Sequence, residues 1–99
     1  KSAENIMMQI SLAQSEYYSD NDNYFFTRTC SITGKSDPSN EIEKELLGGA
    51  DVIVEKVGYE FCVEAFSDGY KIKTEEQDTS KPCIMTYTHK SVLDKNTNC

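Results

Sequence analysis

The sequence predicts an α+β domain in which an N-terminal helix packs on an antiparallel meander sheet of three or four strands, stapled by two disulfides. Three observations predict it. Apolar residues recur at helical spacing near the start of the chain, and apolar and polar residues alternate across short turns in its second half. Four cysteines, an even count in a chain of 99 residues, favour two disulfide bonds. A chain of this length forms one domain, residues 1–99, whose small core benefits from such cross-links.

Residues 3–18 are predicted to form the helix. Spacings of three and four place most of its apolar side chains on one face. That face consists of Ala3, Ile6, Met7, Ile10, Ala13, Gln14 and Tyr17. Met8 and Leu12 lie together inside the opposite, polar face, so they are either a second packing surface or two incidental exposed residues. We expect the helix to stop in the turn-forming run 19–23.

The start of this helix lacks a strong capping signal. Ser2 is available as a cap, but Asn5 stands where a capping box places Glu or Gln. The chain also begins with Lys1 and not with Met. We therefore expect residues 1–19 to be the C-terminal half of a longer helix whose first part precedes Lys1.

Residues 20–50 are predicted to form a long connecting region. An aromatic run within it is expected to cover the core: Tyr24, Phe25 and Phe26. Residues 41–47 are predicted to form a short helix that ends at Gly48-Gly49. The side chains of that helix expected to face the core are Ile42, Leu46 and Leu47.

Residues 51–88 are predicted to form the sheet, because β-branched and aromatic residues alternate there with polar ones. The predicted strands are residues 52–57, 59–66, 70–74 and 83–88. Asp68-Gly69 is a two-residue hairpin signal, and residues 75–81 have the composition of a polar loop. Residues 89–99 are predicted to be a polar tail that Cys99 closes.

The composition excludes several classes of protein. A formal charge of −7 repels phosphate backbones, which disfavours general nucleic-acid binding. No stretch approaches the roughly 18 apolar residues of a membrane span. Paired cysteines indicate an oxidising compartment, such as a periplasm or a cell surface, and four free thiols in a cytosolic protein are the less favoured alternative. The cysteine spacing also lacks the close pairs of a zinc site.

The sequence predicts neither an enzyme nor a cofactor. His89 is the only histidine, and we expect it to be a surface residue. No nucleophile elbow, glycine-rich phosphate loop or zinc-protease motif is present. Asp20 and Asp22 suggest a calcium loop, but Phe25 and Ser31 stand where an EF-hand needs Gly and Glu. We expect no small-molecule substrate.

Three segments carry a resemblance to a known family. They are residues 13–24 (AQSEYYSDNDNY), residues 69–74 (GYKIKT), and residues 78–83 followed by Cys99. In this order they resemble the end of the long helix, a strand of the sheet and the C-terminal disulfide loop of type IV pilins and the related pseudopilins. The resemblance covers nearly the whole chain, and it implies the pilin-like form of the α+β fold.

The resemblance also implies a function. The chain would be a structural subunit of an extracellular type IV pilus, more specifically a minor pilin that acts in adhesion, motility or DNA uptake. Its partners would be other pilin subunits in a helical filament. An apolar helix before Lys1 would anchor the precursor in the inner membrane, facing the periplasm. A major pilin, a secretion-system pseudopilin, and a secreted disulfide-stapled binding module or adhesin are the alternatives.

Two residues are the candidate contacts between subunits. If the helix packs in a filament, the second patch formed by Met8 and Leu12 would touch a neighbouring subunit.

The four cysteines permit three pairings. With residues 89–99 taken as the C-terminal disulfide loop, the preferred pairs are Cys83–Cys99 and Cys30–Cys62. The first would pin the tail, and the second would tie the connecting region to the sheet. A second pair departs from the commonest pilin pattern, and it favours a pilus subunit over a secretion pseudopilin.

Four lysines are the candidate DNA contacts. Lys71 and Lys73 share one face of a strand, and Lys90 and Lys95 lie in the terminal loop. Because certain minor pilins bind DNA, these lysines are candidate phosphate contacts. Ordinary solvent-facing lysines are the favoured interpretation, and DNA is not the favoured partner.

Overall fold

The computed structural model describes residues 2–30, 37–49 and 58–99. Within them, two helices are followed by four strands. The elements are α1 (Ser2–Asn21), α2 (Asp37–Glu45), β1 (Tyr59–Phe66), β2 (Gly69–Glu76), β3 (Ile84–Thr88) and β4 (Leu93–Lys95). This order confirms the α+β class, with an N-terminal helix and an antiparallel sheet.

The four strands form a meander in the order β1-β2-β3-β4, and each strand is antiparallel to its neighbour. Because side chains alternate between the faces of a sheet, one face is apolar and forms the core with α1. The buried residues of that face are Phe61, Val63, Tyr70, Ile72, Met85 and Tyr87. The buried apolar residues of α1 are Ala3, Ile6, Met7 and Ile10.

The helix α1 runs three residues beyond the predicted end, to Asn21. The Asn21 side-chain amide donates to the Tyr17 carbonyl at 3.0 Å, and the Asp22 backbone amide donates to the Tyr18 carbonyl at 2.8 Å. Asp22 then adopts a φ of 64°, in the left-handed region that follows many helix ends. The stop therefore falls inside the predicted run 19–23.

The helix α2 begins at Asp37, earlier than the predicted residue 41, and ends at Glu45. Pro38 in the first turn suits this start, because the amide that proline lacks has no helical partner there. Gly48 and Gly49 both have a positive φ and lie in the turn that follows, but the helix ends two residues before the predicted residue 47. The side chains expected to face the core do so, with Ile42 fully buried and Leu46 and Leu47 partly buried against it.

The aromatic run after α1 covers the core only in part. Tyr24 and Phe25 pack against the core, whereas Phe26 is exposed, so the prediction is wrong at Phe26. The buried Gln14 accounts for the position of Phe25, because its amide donates to the Phe25 carbonyl at 2.8 Å and accepts from the Phe25 N–H at 2.9 Å. This pair of bonds holds the chain against α1 at Phe25 and leaves the next residue outside.

The hairpin between β1 and β2 has a two-residue turn, one position earlier than predicted. Ser67 and Asp68 are the turn residues, with φ of 46° and 65°, while Phe66 and Gly69 form the last pair of the ladder. Positive φ at both turn positions matches the twist of antiparallel strands. Gly69 is needed for a different reason, since an added Cβ there would overlap the ring of His89.

The C-terminal half differs from the prediction in two places. Strand β2 extends to Glu76, so the first two residues of the predicted loop 75–81 belong to a strand. The predicted tail 89–99 contains β4, which pairs with β3 through Leu93 and Tyr87. A strand of three residues is too short for alternation to reveal it. The predicted strand 52–57 lies outside the described residues.

Both preferred disulfide pairs are present. Cys30–Cys62 joins the connecting region to β1 with 5.1 Å between the Cα atoms. Cys83–Cys99 joins the residue before β3 to the end of the chain with 4.6 Å between them. The domain is therefore cross-linked on both sides of its sheet.

Candidate functional site

The outer side of α1 carries two large apolar side chains that the core does not use. Leu12 is 72% exposed and Met8 is about half exposed. Ile10, two residues before Leu12, is fully buried, and residues two apart on a helix point in nearly opposite directions. Leu12 therefore points away from the sheet, and its position rules out a role in the core of this domain.

Polar contacts fix the rotation of α1, and with it the direction of Leu12. The Ser11 hydroxyl and the Tyr70 hydroxyl form a hydrogen bond of 2.6 Å between helix and sheet. Burial raises the pKa of Tyr70, and the bond to Ser11 opposes that rise. Together with the contacts of Gln14 to Phe25, this bond prevents α1 from turning its apolar outer residues inward.

An ion pair places β4 beside α1. Lys95 Nζ contacts the Glu4 carboxylate, so the end of β4 lies next to the first turn of the helix. From Glu4 to Met8 the helix advances about 6 Å, and from Lys95 to Leu93 the strand covers about 7 Å. Both advances lead toward the end of the sheet where Tyr70 meets α1. Leu93 shares the α1 face of the sheet with Lys95, because the two residues are two apart in β4.

Four exposed apolar residues belong to α1 or to the segment 92–93 at the start of β4, and we call them the outer strip: Met8, Leu12, Val92 and Leu93. All four are exposed, and they are the majority of the large exposed apolar side chains among the described residues. The sequence identified Met8 and Leu12 from their helical spacing. It missed Val92 and Leu93, whose only signal is that two adjacent apolar residues stand in an otherwise polar tail.

The four candidate lysines do not lie on one surface. Lys71 and Lys73 point to the sheet face opposite α1, since their neighbour Ile72 is buried on the α1 face. Lys95 points to the α1 face, where it is paired with Glu4. Lys90 lies in the turn after β3. The sheet therefore separates Lys95 from Lys71 and Lys73.

His89 is partly buried, in contrast to the predicted surface position. Its backbone amide donates to the Tyr70 carbonyl at 3.1 Å, and its ring lies 6.4 Å from the ring of Phe66. The missing side chain at Gly69 makes the space for this ring. Its surroundings are those of a packed residue.

The free edge of β1 is closed by two buried hydroxyl groups. The Thr27 hydroxyl accepts from the Val63 amide at 3.2 Å, and the Ser39 hydroxyl accepts from the Phe61 amide at 2.8 Å. The Thr27 amide donates to the Val63 carbonyl at 3.0 Å. We call Thr27 and Ser39 the edge seal. They satisfy backbone groups that an edge strand otherwise presents to a partner.

A carboxyl group lies next to the edge seal. Burial raises the pKa of Glu60, a hydrogen bond from Ser39 opposes the rise, and the nearby charge of Glu43 adds to it. One carboxylate oxygen of Glu60 is buried without a hydrogen-bond partner. The protonated form of Glu60 is therefore favoured by its surroundings more than that of an ordinary glutamate.

The described part of the chain shows no further chemical centre. It contains no group of three or more His, Cys, Asp and Glu side chains placed to hold a metal ion. Neither of its helices combines the length and the apolar character needed to cross a membrane. Comparisons with protein-family models, with curated proteins and with solved structures found no match for this chain.

Proposed function

We propose that this chain is a structural subunit of an extracellular type IV pilus, in the role of a minor pilin, and that it assembles through the outer strip. The observation that carries the proposal is the strip itself. Met8 and Leu12 are exposed four residues apart on α1, so they are neighbours on the helix, and Val92 and Leu93 are exposed at the start of β4 on a domain that two disulfides cross-link. Exposed apolar patches are typical of protein interaction sites.

The position of the strip supports assembly over ligand binding. It includes the most exposed of the large apolar residues in the described part of the chain, Leu12, which is 72% exposed. A neighbouring helix or sheet covers such a surface well, because both present flat rows of side chains. Other pilin subunits are the proposed partners.

The proposal includes a segment before Lys1. In a pilin precursor that segment holds an apolar helix, which anchors the subunit in the inner membrane with the domain in the periplasm and then packs inside the filament. The cysteine pairs are consistent with this oxidising route, since both sit in bonded geometry.

The decisive experiment compares Leu12→Asp with Gln9→Asp in the full-length precursor, expressed in its own host. Both changes add one negative charge to an exposed position on α1, but only the first lies in the outer strip. We expect Leu12→Asp to abolish filaments containing the subunit and to change the unfolding free energy of the domain by less than about 0.5 kcal/mol. Gln9→Asp should leave both assembly and folding intact.

Two outcomes would contradict the proposal. Normal incorporation of the Leu12→Asp subunit would remove the outer strip from assembly. A conventional signal peptide before Lys1, in place of a short basic leader ending in Gly and followed by an apolar helix, would favour a secreted binding module. Reading the residues upstream of Lys1 in the precursor separates these classes without any mutation.

A further inference from the structure

A second surface lies on the domain, away from the outer strip. A cleft with a volume of about 380 Å³ opens between the end of α1 and the β1–β2 hairpin. Four aromatic side chains line it, and three of them are open to solvent, with exposed fractions of 45% for Tyr18, 41% for Phe26 and 39% for Phe66; the fourth is Tyr24. Two aspartates, Asp22 and Asp68, also line it.

The aromatic wall of the cleft is anchored in the core. The ring of Tyr18 lies 4.6 Å from that of Tyr24, and Tyr24 lies 4.9 Å from the buried Tyr70. Rings at these distances support one another in tilted and edge-to-face contacts. The Tyr18 side of the wall is therefore held in place before any ligand arrives, which reduces the entropy that binding must overcome.

Both aspartates of the cleft have a left-handed backbone conformation. Asp22 has a φ of 64° and Asp68 a φ of 65°, in the left-handed region that Asp and Asn tolerate. Both residues are exposed, and the one ion pair found among the described residues lies elsewhere, between Lys95 and Glu4. The negative charge of the cleft is thus not balanced by a direct ion pair within that part of the chain.

The cleft region already contains one contact of an ammonium group with an aromatic ring. Lys71 Nζ lies 4.4 Å from the centre of the Phe66 ring. This distance is within the range of a cation–π interaction. Phe66 thus acts as a cation–π partner in this domain, with Lys71 on one face of its ring, although Lys71 itself does not line the cleft.

We propose that this cleft binds a lysine or arginine side chain presented by a partner polypeptide. The rings of Tyr18, Phe26 and Phe66 receive the apolar stem and the cationic head, and Asp22 and Asp68 supply the opposite charge. A neutral apolar occupant would remove water from both carboxylates without compensating their charge, which is unfavourable. Charge complementarity therefore selects a basic polypeptide. The inference is independent of the outer strip and of the filament proposal.

The test is an NMR titration of the isotopically labelled chain with two acetylated and amidated pentapeptides. The probe is Gly-Gly-Lys-Gly-Gly, and the reference replaces Lys by norleucine, which keeps the stem and removes the charge. We expect the lysine peptide to shift the ring signals of Tyr18, Phe26 and Phe66 at concentrations up to about 10 mM, as befits a single-residue contact. The norleucine peptide should not shift them.

Matched variants separate the cleft from the overall negative charge. Asp22→Asn with Asp68→Asn removes both cleft carboxylates and keeps residue types that accept a positive φ. Asp20→Asn with Asp37→Asn removes the same charge at exposed positions outside the cleft. We expect the cleft variant to bind the lysine peptide about tenfold more weakly, and the control to stay within about twofold of the parent.

The thermal midpoint of the cleft variant must equal that of the parent, which shows that the fold is retained. A second variant, Phe66→Leu, tests the ring contact and leaves both carboxylates in place. We expect Phe66→Leu to weaken binding about threefold, because the ring contact is lost. Equal weakening in both aspartate pairs, equal binding of the norleucine peptide, or the absence of shifts at the cleft would each overturn the proposal.

Discussion

The two edges of the sheet are protected in different ways. Strand β1 has eight residues, and the Thr27 and Ser39 side chains occupy its free backbone groups. Strand β4 has three residues, all of them exposed. A long edge offers many unpaired groups and needs a cover, whereas a very short edge offers few.

The two disulfides also differ between the β1 edge and the β4 side of the sheet. Cys62 is fully buried in β1, and its bond to Cys30 holds the segment that carries Thr27 against the strand. Cys99 is exposed, and its bond to Cys83 holds the chain end beside β3. One bridge therefore supports a buried seal, and the other keeps a surface segment from fraying.

This difference assigns separate roles to the two sides of the domain. The β1 side is closed by buried hydrogen bonds and cannot add another strand at Phe61 and Val63 without losing them. The β4 side carries the exposed Leu93, and its Lys95 contacts Glu4 on α1. The edge of the sheet formed by the shorter strand is thus the one that carries residues of the outer strip, which agrees with the proposed assembly surface.

Removing the disulfides one at a time should have the largest effect on stability. Loop-closure entropy over 32 residues for Cys30–Cys62 and 16 for Cys83–Cys99 corresponds to about 4 and about 3 kcal/mol. We expect Ala substitutions at both Cys30 and Cys62 to lower the free energy of unfolding, measured by chemical denaturation, more than Ala substitutions at both Cys83 and Cys99. The reason is that Cys62 is also fully buried.

Hydrogen exchange of the backbone amides shows which strands are destabilised when each disulfide is removed. Without Cys83–Cys99, protection should fall in β4 and remain in β1, because the edge seal stays intact. Without Cys30–Cys62, protection should fall in β1 as well. Equal stability losses with equal exchange patterns would show that the two edges do not differ in the way described.

Removing the hydroxyls of the edge seal should have the next largest effect. Thr27→Val keeps the shape of the side chain and leaves the Val63 amide without its partner, and Ser39→Ala does the same to Phe61. We expect each change to lower the unfolding free energy by about 1–3 kcal/mol. Thr97→Val, at an exposed position near β4, should change it by less than about 0.5 kcal/mol. A loss in the control as large as in Thr27→Val would contradict this account.

The pH dependence of Glu60 should give the smallest effect. Its pKa is raised above the ordinary value by burial, against the hydrogen bond from Ser39 and with the charge of Glu43 in support. The folded chain therefore holds the Glu60 proton more tightly than the unfolded chain. This contribution to stability is present below the ordinary glutamate pKa and is lost as pH rises through that value to the raised one.

The variant Glu60→Gln removes this contribution to the pH dependence. We expect its thermal midpoint to rise relative to the parent as pH increases from about 4 to 7, since the parent alone must ionise a partly buried group. Glu64→Gln removes a charge at an exposed position of the same strand and serves as the control. A constant offset between Glu60→Gln and the parent at all pH values would show that burial does not govern this group.

Much of the fold follows from local patterns in the sequence. The stripe from Ala3 to Ile10 predicted which face of α1 is buried, and the alternation around Val63 and Ile72 predicted the paired strands. The preferred cysteine pairs, which followed from the resemblance of the C-terminal segment to the pilin disulfide loop, are both present. These predictions succeed because helices and strands repeat at fixed periods, so the side chains of a few neighbouring residues already reveal them.

Other features were decided only by the tertiary structure. Nothing local distinguishes Thr27 and Ser39 from surface hydroxyls, because the groups that they satisfy lie more than twenty residues away. Strand β4 is shorter than any detectable period, and the salt bridge of Lys95 to Glu4 joins opposite ends of the chain. Local sequence determined which side chains avoid water, and the packing of distant segments determined which exposed surfaces lie together, because that depends on contacts across the whole chain.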